Sequence, residues 1–313
     1  MSQSPTIAAI VPCFNEEVTI AKVVGDLREA VPGIVVYVYD NNSTDRTSEV
    51  ARDAGAIVRF EGRKGKGNVV RRAFADVEAD IYLLIDGDDT YDASAAPEMI
   101  RTLVEHRLDQ VLGCRREAPD DRTAYRPGHE EGNKAFNRVV GRLFGEPVTD
   151  MLSGYRIFSR RFVKSFPAMS REFEIETELT VHSMALRVPQ EEVSVGFRDR
   201  PAGSESKLRT FHDGFRILGL IGRLFAHERP FAFYGGLAVI AFAVSLILGV
   251  PVIWEFFHTG EVARFPTAIL ASSLAVIGCL SVVVGSVLTG VLRARREVAR
   301  LAYLQLDPPP SSL

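Results

Sequence analysis

The sequence predicts an α/β fold, a mostly parallel sheet with helices on both faces, joined to a C-terminal two-helix transmembrane hairpin. Three observations predict it. Strand-like apolar runs alternate with amphipathic helical segments through residues 7–106, the pattern of a parallel sheet wound with helices. Polar clusters follow three of those strands directly, and such sheets bind their ligands beyond the carboxyl ends of the strands. Residues 231–292 hold only three charged side chains, Glu255, Glu261 and Arg264, in a chain that is 25% charged.

The elements follow in order. Residues 7–11 are a short apolar strand, and 16–30 a helix with Val18, Ala21, Val24 and Leu27 at helical spacing. A β-branched and aromatic strand, 34–39, precedes a helix at 43–54 that opens on Ser, Thr and Asp, the residues that cap helix N-termini. Strand 57–60, helix 67–78, strand 81–85 and helix 95–106 complete the alternation. The polar clusters lie at 12–17, 40–47 and 86–92, each at a strand's carboxyl end.

Bulk properties narrow the function. A net charge of −3 gives no basic domain for nucleic acid. Cys13, Cys114 and Cys279 stand far apart without a CxxC pair, which excludes a disulfide framework or a cysteine zinc site and fits a reducing cytosol. The opening residues are polar and lead straight into a strand, unlike a signal peptide. No HExxH, GxSxG or EF-hand pattern occurs, so zinc peptidase, serine hydrolase and calcium sensor drop out.

The acidic cluster is the sharpest chemical feature. Residues i and i+2 of extended chain share a side, so Asp86 and Asp88 converge, and Gly87 between them lets the backbone approach a ligand. Two carboxylates without His or Cys make a hard oxygen site suited to Mg²⁺ or Mn²⁺. The competing reading is an acidic turn that caps the helix at 95. Asp40 can accept from a base N–H or a ribose hydroxyl, whereas Ser43, Thr44 and Asp45 read equally well as caps. Lys66, set between Gly65 and Gly67, suits a phosphate at a helix N-terminus. The segment lacks the third glycine of a dinucleotide fingerprint and the sequence of a Walker A loop.

With VPCFNEE (11–17), DNNSTDRT (40–47), GKG (65–67) and DGDDTYD (86–92) in this order, the chain resembles family 2 glycosyltransferases of GT-A fold. Gly113-Cys114-Arg115, Asp150-Met151-Leu152-Ser153-Gly154-Tyr155-Arg156, and Arg200 with Gly203-Ser204-Glu205-Ser206-Lys207 are similar to the polyprenyl-phosphate branch, which includes dolichyl-phosphate mannose synthases. The processive branch carries QxxRW, and the only tryptophan here is Trp254, in an apolar run.

The resemblance implies site roles. Pro12, Phe14, Glu16, Asp40, Asn42, Lys66 and Gly87 would line the nucleotide-sugar pocket, with Asp40 toward base and ribose. Asp86 and Asp88 would hold the cation on the donor diphosphate. Some relatives add a glutamine two residues after the second aspartate. Thr90 stands there, leaving Asp89 or water as the substitute. Arg115, Arg126, Arg200 and Lys207 would meet the acceptor phosphate, and the catalytic set would be Asp88, Arg115 and Asp150. Asp150 would orient the acceptor or stabilise positive charge at the anomeric carbon. Its other reading is a structural partner of Arg156 or a backbone cap. The family geometry implies single displacement with inversion. The acceptor phosphate is already an anion, so a cationic clamp matters more than a strong base. His129 and His182 attract no role.

Residues 231–257 and 266–292 each exceed the roughly twenty needed to cross a bilayer. Arg216, Arg223 and Arg229 precede the first span; Arg293, Arg295, Arg296 and Arg300 follow the second. Positive-inside bias then puts both ends in the cytoplasm. Residues 208–230, with apolar and basic side chains interleaved, read as an amphipathic helix at the lipid surface. The expected organisation is a GT-A domain at 1–207, this helix, the two spans and a cytoplasmic tail at 293–313. Small residues in the second span (Ser272, Ser273, Gly278, Ser281, Gly285 and Gly290) offer a route to homo-oligomers. The expected partners are a nucleotide-sugar donor (UDP or GDP), a polyprenyl phosphate and membrane lipids. The alternatives are another lipid acceptor, such as a diacylglycerol, and a non-catalytic scaffold.

Overall fold

The computed structural model describes residues 5–117, 141, 149–168, 174–198 and 225–312. The chain divides into two compact units, Met1–Thr210 with Val298–Leu313, and Phe211–Glu297.

The first unit is built on a seven-stranded sheet. Its first half alternates as the sequence predicts: β1 (Ile7–Cys13), α1 (Ile20–Ala30), β2 (Val35–Asp40), α2 (Thr47–Asp53), β3 (Ile57–Phe60), α3 (Lys66–Asp76), β4 (Ile81–Leu84) and α4 (Ala96–Glu105). These strands are parallel, with β1 between β2 and β4. Beyond residue 106 come β5 (Gln110–Glu117), β6 (Arg156–Ser159), α5 (Arg160–Ser165), α6 (Glu174–Leu186) and β7 (Gln190–Phe197). The strand order is β3-β2-β1-β4-β6-β5-β7. β6 runs antiparallel to both β4 and β5, and β7 pairs parallel to β5.

Strand alternation divides the core between the two faces of the sheet. Ala9, Val11, Ile81 and Leu83 point to a cluster containing Val24 and Leu27 of α1, Ala51 of α2 and Ile100 and Leu103 of α4. Ala8, Ile10, Tyr82 and Leu84 point the other way, to Val70 and Phe74 of α3, Phe162 of α5 and Leu179 of α6. Continuous burial along the central strands, with successive side chains sent to opposite faces, demands helices on both sides.

Two helices start later than expected, for local reasons. Asn15 has a φ of 55°, a left-handed turn that holds the chain out of helix until Ile20. Residues 40–46 spend their side chains and amides on cross-links described below, so α2 begins at Thr47 rather than at residue 43.

The second unit contains most of two long helices, α7 (Pro230–Thr259) and α8 (Phe265–Leu304). Both are long and apolar enough to cross a membrane. Their large apolar side chains mostly face outward, Ile247 at 71% and Trp254 at 68% exposed among them. A soluble core helix would bury such groups. Gly260, at φ 73°, ends α7 with its N–H on the Phe256 carbonyl. Within this unit Gly278 lies against the Phe242 ring and Gly285 against Phe231 and Tyr234, so these two glycines seat α8 on α7. Ser272, Ser273 and Ser281 donate to carbonyls four residues back in their own helix.

The expected tail begins as helix. α8 runs on to Leu304, and from Val298 the chain groups with the first unit. Tyr303 is buried there, its hydroxyl donating to Asp109 Oδ2 at 2.7 Å. Arg161 and Arg300 hold its ring at 4.6 and 4.8 Å. Most of the expected juxtamembrane helix, residues 208–224, lies outside the described residues.

Candidate active site

The site forms where β1, β2 and β4 end, and the two loops after β1 and β2 are laced together. The Asn15 N–H donates to Ser43 Oγ at 3.0 Å, Thr44 N–H to Asn15 Oδ1 at 2.8 Å, and Glu16 N–H to Thr47 Oγ1 at 2.8 Å. Asp40 closes β2 and serves its own turn. One carboxylate oxygen accepts from Ser43 N–H and the other from Ser48 Oγ. Asn41 then staples the loop before α3, donating to the Glu61 and Arg63 carbonyls and accepting from Gly65 N–H at 2.7 Å. Asn42, at φ 68°, donates to the Glu61 and Gly62 carbonyls.

The acidic loop follows β4. Thr19, at the start of α1, donates to the Gly87 carbonyl at 2.7 Å and ties this loop to the first. Gly87 has a packing reason beyond access to a ligand: a Cβ there would stand 2.5 Å from Cys13 Sγ. Asp86 is partly exposed, whereas Asp88 is buried and accepts from the Thr90 hydroxyl at 2.6 Å and its N–H at 3.2 Å. Asp89 is engaged elsewhere. Lys22 and Arg198 both bond its Oδ1, at 2.8 and 3.0 Å, so the expected substitute ligand is already paired with two cations. Among the described residues, no three His, Cys, Asp or Glu side chains gather as a metal cage.

Lys66, the first residue of α3, is buried and paired with Asp86 and with Glu176 of α6. Burial alone would lower its pKa, but the two carboxylates outweigh burial and raise it. Gly154 lies beside this pair; a Cβ there would come within 2.5 Å of Asp86 Oδ2 and 2.9 Å of Lys66 Nζ. Tyr91 joins the acidic loop to the same turn by accepting from the Gly154 N–H at 2.8 Å.

At the far end of β5, Arg115 grips Asp150 with Nε and Nη2, both at 2.7 Å, and donates its backbone N–H at 3.2 Å. Its guanidinium also covers the Phe197 ring at 5.3 Å. Burial would raise the Asp150 carboxyl, but the Arg115 hydrogen bonds and charge hold it below the ordinary carboxylate range. The ion-pair partner of Asp150 is therefore Arg115, not Arg156. Arg156 is fully buried and donates to the Ser153 and Met151 carbonyls and to Thr180 Oγ1. Desolvation pushes its pKa down to about 10, and its work is to shape the turn at 150–155.

Residues 8–166 match the family model described as Glycosyl transferase family 2. The chain belongs to this family. The glycosyltransferase AglJ of Haloferax volcanii is 34% identical over 264 residues, 82% of this chain and 84% of that one. A dolichyl-phosphate hexose transferase of the same organism is 28% identical over 228 residues, 71% of this chain and 95% of that one. Among solved structures, glucosyl-3-phosphoglycerate synthase of Mycobacterium tuberculosis, crystallised with Mn²⁺, UDP and glucosyl-3-phosphoglycerate, superposes with a TM-score of 0.56 at 23% identity. It covers 71% of this chain and 80% of that one. The likeness shows the GT-A fold.

In this family 2 glycosyltransferase the structure places Pro12, Phe14, Glu16, Asp40, Asn42, Asp86, Gly87 and Asp88 at the carboxyl ends of β1, β2 and β4 or in the loops that follow them, and Lys66 at the first turn of α3. Arg126, Arg200 and Lys207 lie outside the described residues. Sequence reasoning missed Thr19, Asn41, Tyr91 and Glu176. Tyr91 and Asn41 stood inside motifs already singled out. Glu176 carried no local signal, because only the fold brings α6 to Lys66.

Proposed function

We propose that this enzyme transfers a sugar, with inversion, from a UDP- or GDP-sugar to a polyprenyl phosphate at the cytoplasmic face of a membrane, yielding a lipid-linked monosaccharide. The observation that carries the reading is Arg115, an arginine fork held in one orientation by Asp150 within the unit that bears the acidic loop. A planar guanidinium matches phosphate oxygens, and a guanidinium already oriented loses less freedom on binding. The similarity to a dolichyl-phosphate hexose transferase and the two membrane-length helices support a lipid acceptor. The arginines flanking the spans support cytoplasmic ends.

The chemistry assigns each group a task. Asp86 and Asp88 offer hard oxygens at one strand end, partly open to solvent at Asp86, which fits Mg²⁺ or Mn²⁺ with phosphates and water completing the shell. When bound, the ion neutralises the departing diphosphate. Thr90 fixes the Asp88 carboxylate, and Thr19 fixes the loop that carries it. Pro12, Phe14, Glu16, Asp40 and Asn42 form the nucleotide end. Arg115, with Arg126, Arg200 and Lys207, binds the acceptor phosphate, whose oxygen attacks the anomeric carbon as the diphosphate leaves.

The test is turnover by the full chain in detergent with Mn²⁺, polyprenyl phosphate and a panel of UDP- and GDP-sugars. Lipid-linked sugar from one donor is expected. Transfer to diacylglycerol, with none to polyprenyl phosphate, would overturn the acceptor assignment.

A further inference from the structure

Lys66 stands where a divalent ion would compete with it. Its ammonium is buried, bonded to Asp86 Oδ1 on one side and to Glu176 Oε1, at 2.6 Å, on the other. The Glu176 side chain is 6% exposed, and its second oxygen, Oε2, is buried without a hydrogen-bond partner. A buried carboxylate oxygen in that state carries unused acceptor capacity. The two carboxylates share one ammonium, so their bonded oxygens lie within two hydrogen-bond lengths of each other, at most about 5 Å. Ammonium and metal cannot both sit tightly on Asp86, because like charges that close repel strongly in a site with little water.

We propose that Lys66 is a tethered cation that competes with the divalent metal for Asp86, with Glu176 as the second seat that keeps the ammonium when the metal takes the first. The inference rests on the proposed metal role of Asp86. It has a consequence for the order of binding. Alone, the metal must displace the ammonium. With a nucleotide diphosphate present, the phosphates give Lys66 a further anionic partner, so nucleotide and metal strengthen each other's binding by the same factor. Lys66 and Glu176 are thus positioning residues that set when the acidic loop accepts its ion.

The experiment is Mn²⁺ binding to the full chain in detergent, read by loss of the free-ion electron paramagnetic resonance signal, with and without UDP. The variant K66M/E176Q removes one positive and one negative charge, leaving the net charge of the site unchanged. It is expected to bind Mn²⁺ alone about tenfold more tightly than the wild type, and to lose a similar factor of the enhancement by UDP. Lys66→Arg keeps the charge and should bind Mn²⁺ alone no better than wild type. Glu176→Gln should weaken Mn²⁺ severalfold when Lys66 is present and have little effect in the Lys66→Met background. Equal weakening in both backgrounds means a simple field effect and overturns the relay. Equal Mn²⁺ affinity in wild type and K66M/E176Q, with UDP-dependent binding intact in both, overturns it as well. If no form binds Mn²⁺ even with UDP, the metal reading of Asp86 fails and takes the relay with it.

Discussion

Asp150→Asn separates two roles for the residue, orienting Arg115 or acting at the anomeric carbon. The carboxylate accepts two charge-assisted bonds from the Arg115 guanidinium and one from its backbone N–H, with side chains only 7% and 18% exposed. Removing one partner of a buried ion pair costs about 3–5 kcal/mol. Asparagine keeps one acceptor oxygen, and Arg115 retains some water, so the expected loss is about 2–3 kcal/mol. That lowers the melting temperature by roughly 5–10 °C. The carboxyl titrates below its unfolded value, so its contribution is complete above about pH 4 and fades as pH falls through the lower folded value. The variant should lose that part of the acid sensitivity. Kinetically, a loosened Arg115 should cut kcat/KM for the lipid phosphate about 10–100-fold and leave donor KM unchanged, a loss of about 1.4–2.7 kcal/mol. The assay is a double-mutant cycle of Asp150→Asn and Arg115→Ala, read in both melting and acceptor kinetics. A coupling of at least about 1.5 kcal/mol is expected. Additive effects, or a fall in kcat from Asp150→Asn that persists undiminished in the Arg115→Ala background, would refute the positioning role.

Three further outcomes follow from the geometry. Asp88→Ala should abolish turnover and metal-dependent nucleotide binding, and an active, metal-independent variant would contradict the metal role. Gly154→Ala pushes a methyl group against Asp86 and Lys66; transfer should fall at least about tenfold, while melting moves by no more than a few degrees. His182 is buried against the Phe162 and Phe166 rings, and desolvation pushes its pKa down to about 4. It folds neutral, so its contribution is full above about pH 6.5 and shrinks by up to about 3 kcal/mol as pH falls to about 4. His182→Phe should flatten stability across that interval, and an unchanged pH profile of melting would count against it.

The first half of the fold was legible because it is periodic. Strands such as Ile81–Leu84 are buried on both faces and read as continuous apolar runs, and each is followed by a helix with one apolar stripe. The second half was not. β6 has four residues, runs antiparallel between β4 and β5, and depends on partners some seventy residues away, Tyr82 against Phe158 among them. Its pairing is tertiary information. The same holds for the end of α8: an Arg-rich stretch after an apolar span reads only as a cytoplasmic tail, and nothing local shows that Tyr303 donates to Asp109 beside the Arg161 pair.

The site was legible in its motifs and illegible in its pairings. Spacing alone singled out Asp86 and Asp88, but it could not show which acids are already matched by bases. Asp89 is held by Lys22 and Arg198, Asp150 by Arg115, and Asp86 by Lys66. Four aspartates in one loop therefore do not amount to four equivalent ligands. Asp92 caps the turn after the loop through Ser94 N–H, Asp89 is paired with two cations and Asp86 with one, and Asp88 accepts from the Thr90 hydroxyl. The pairing at Asp86 is also a competition in the proposed relay, because a cation there contends with Lys66, whereas the pairing at Arg115 orients the guanidinium fork. Under the proposed function, binding of a metal and a diphosphate at such a partly matched site stays reversible. The metal is then held by a difference between two strong interactions rather than by one of them in full.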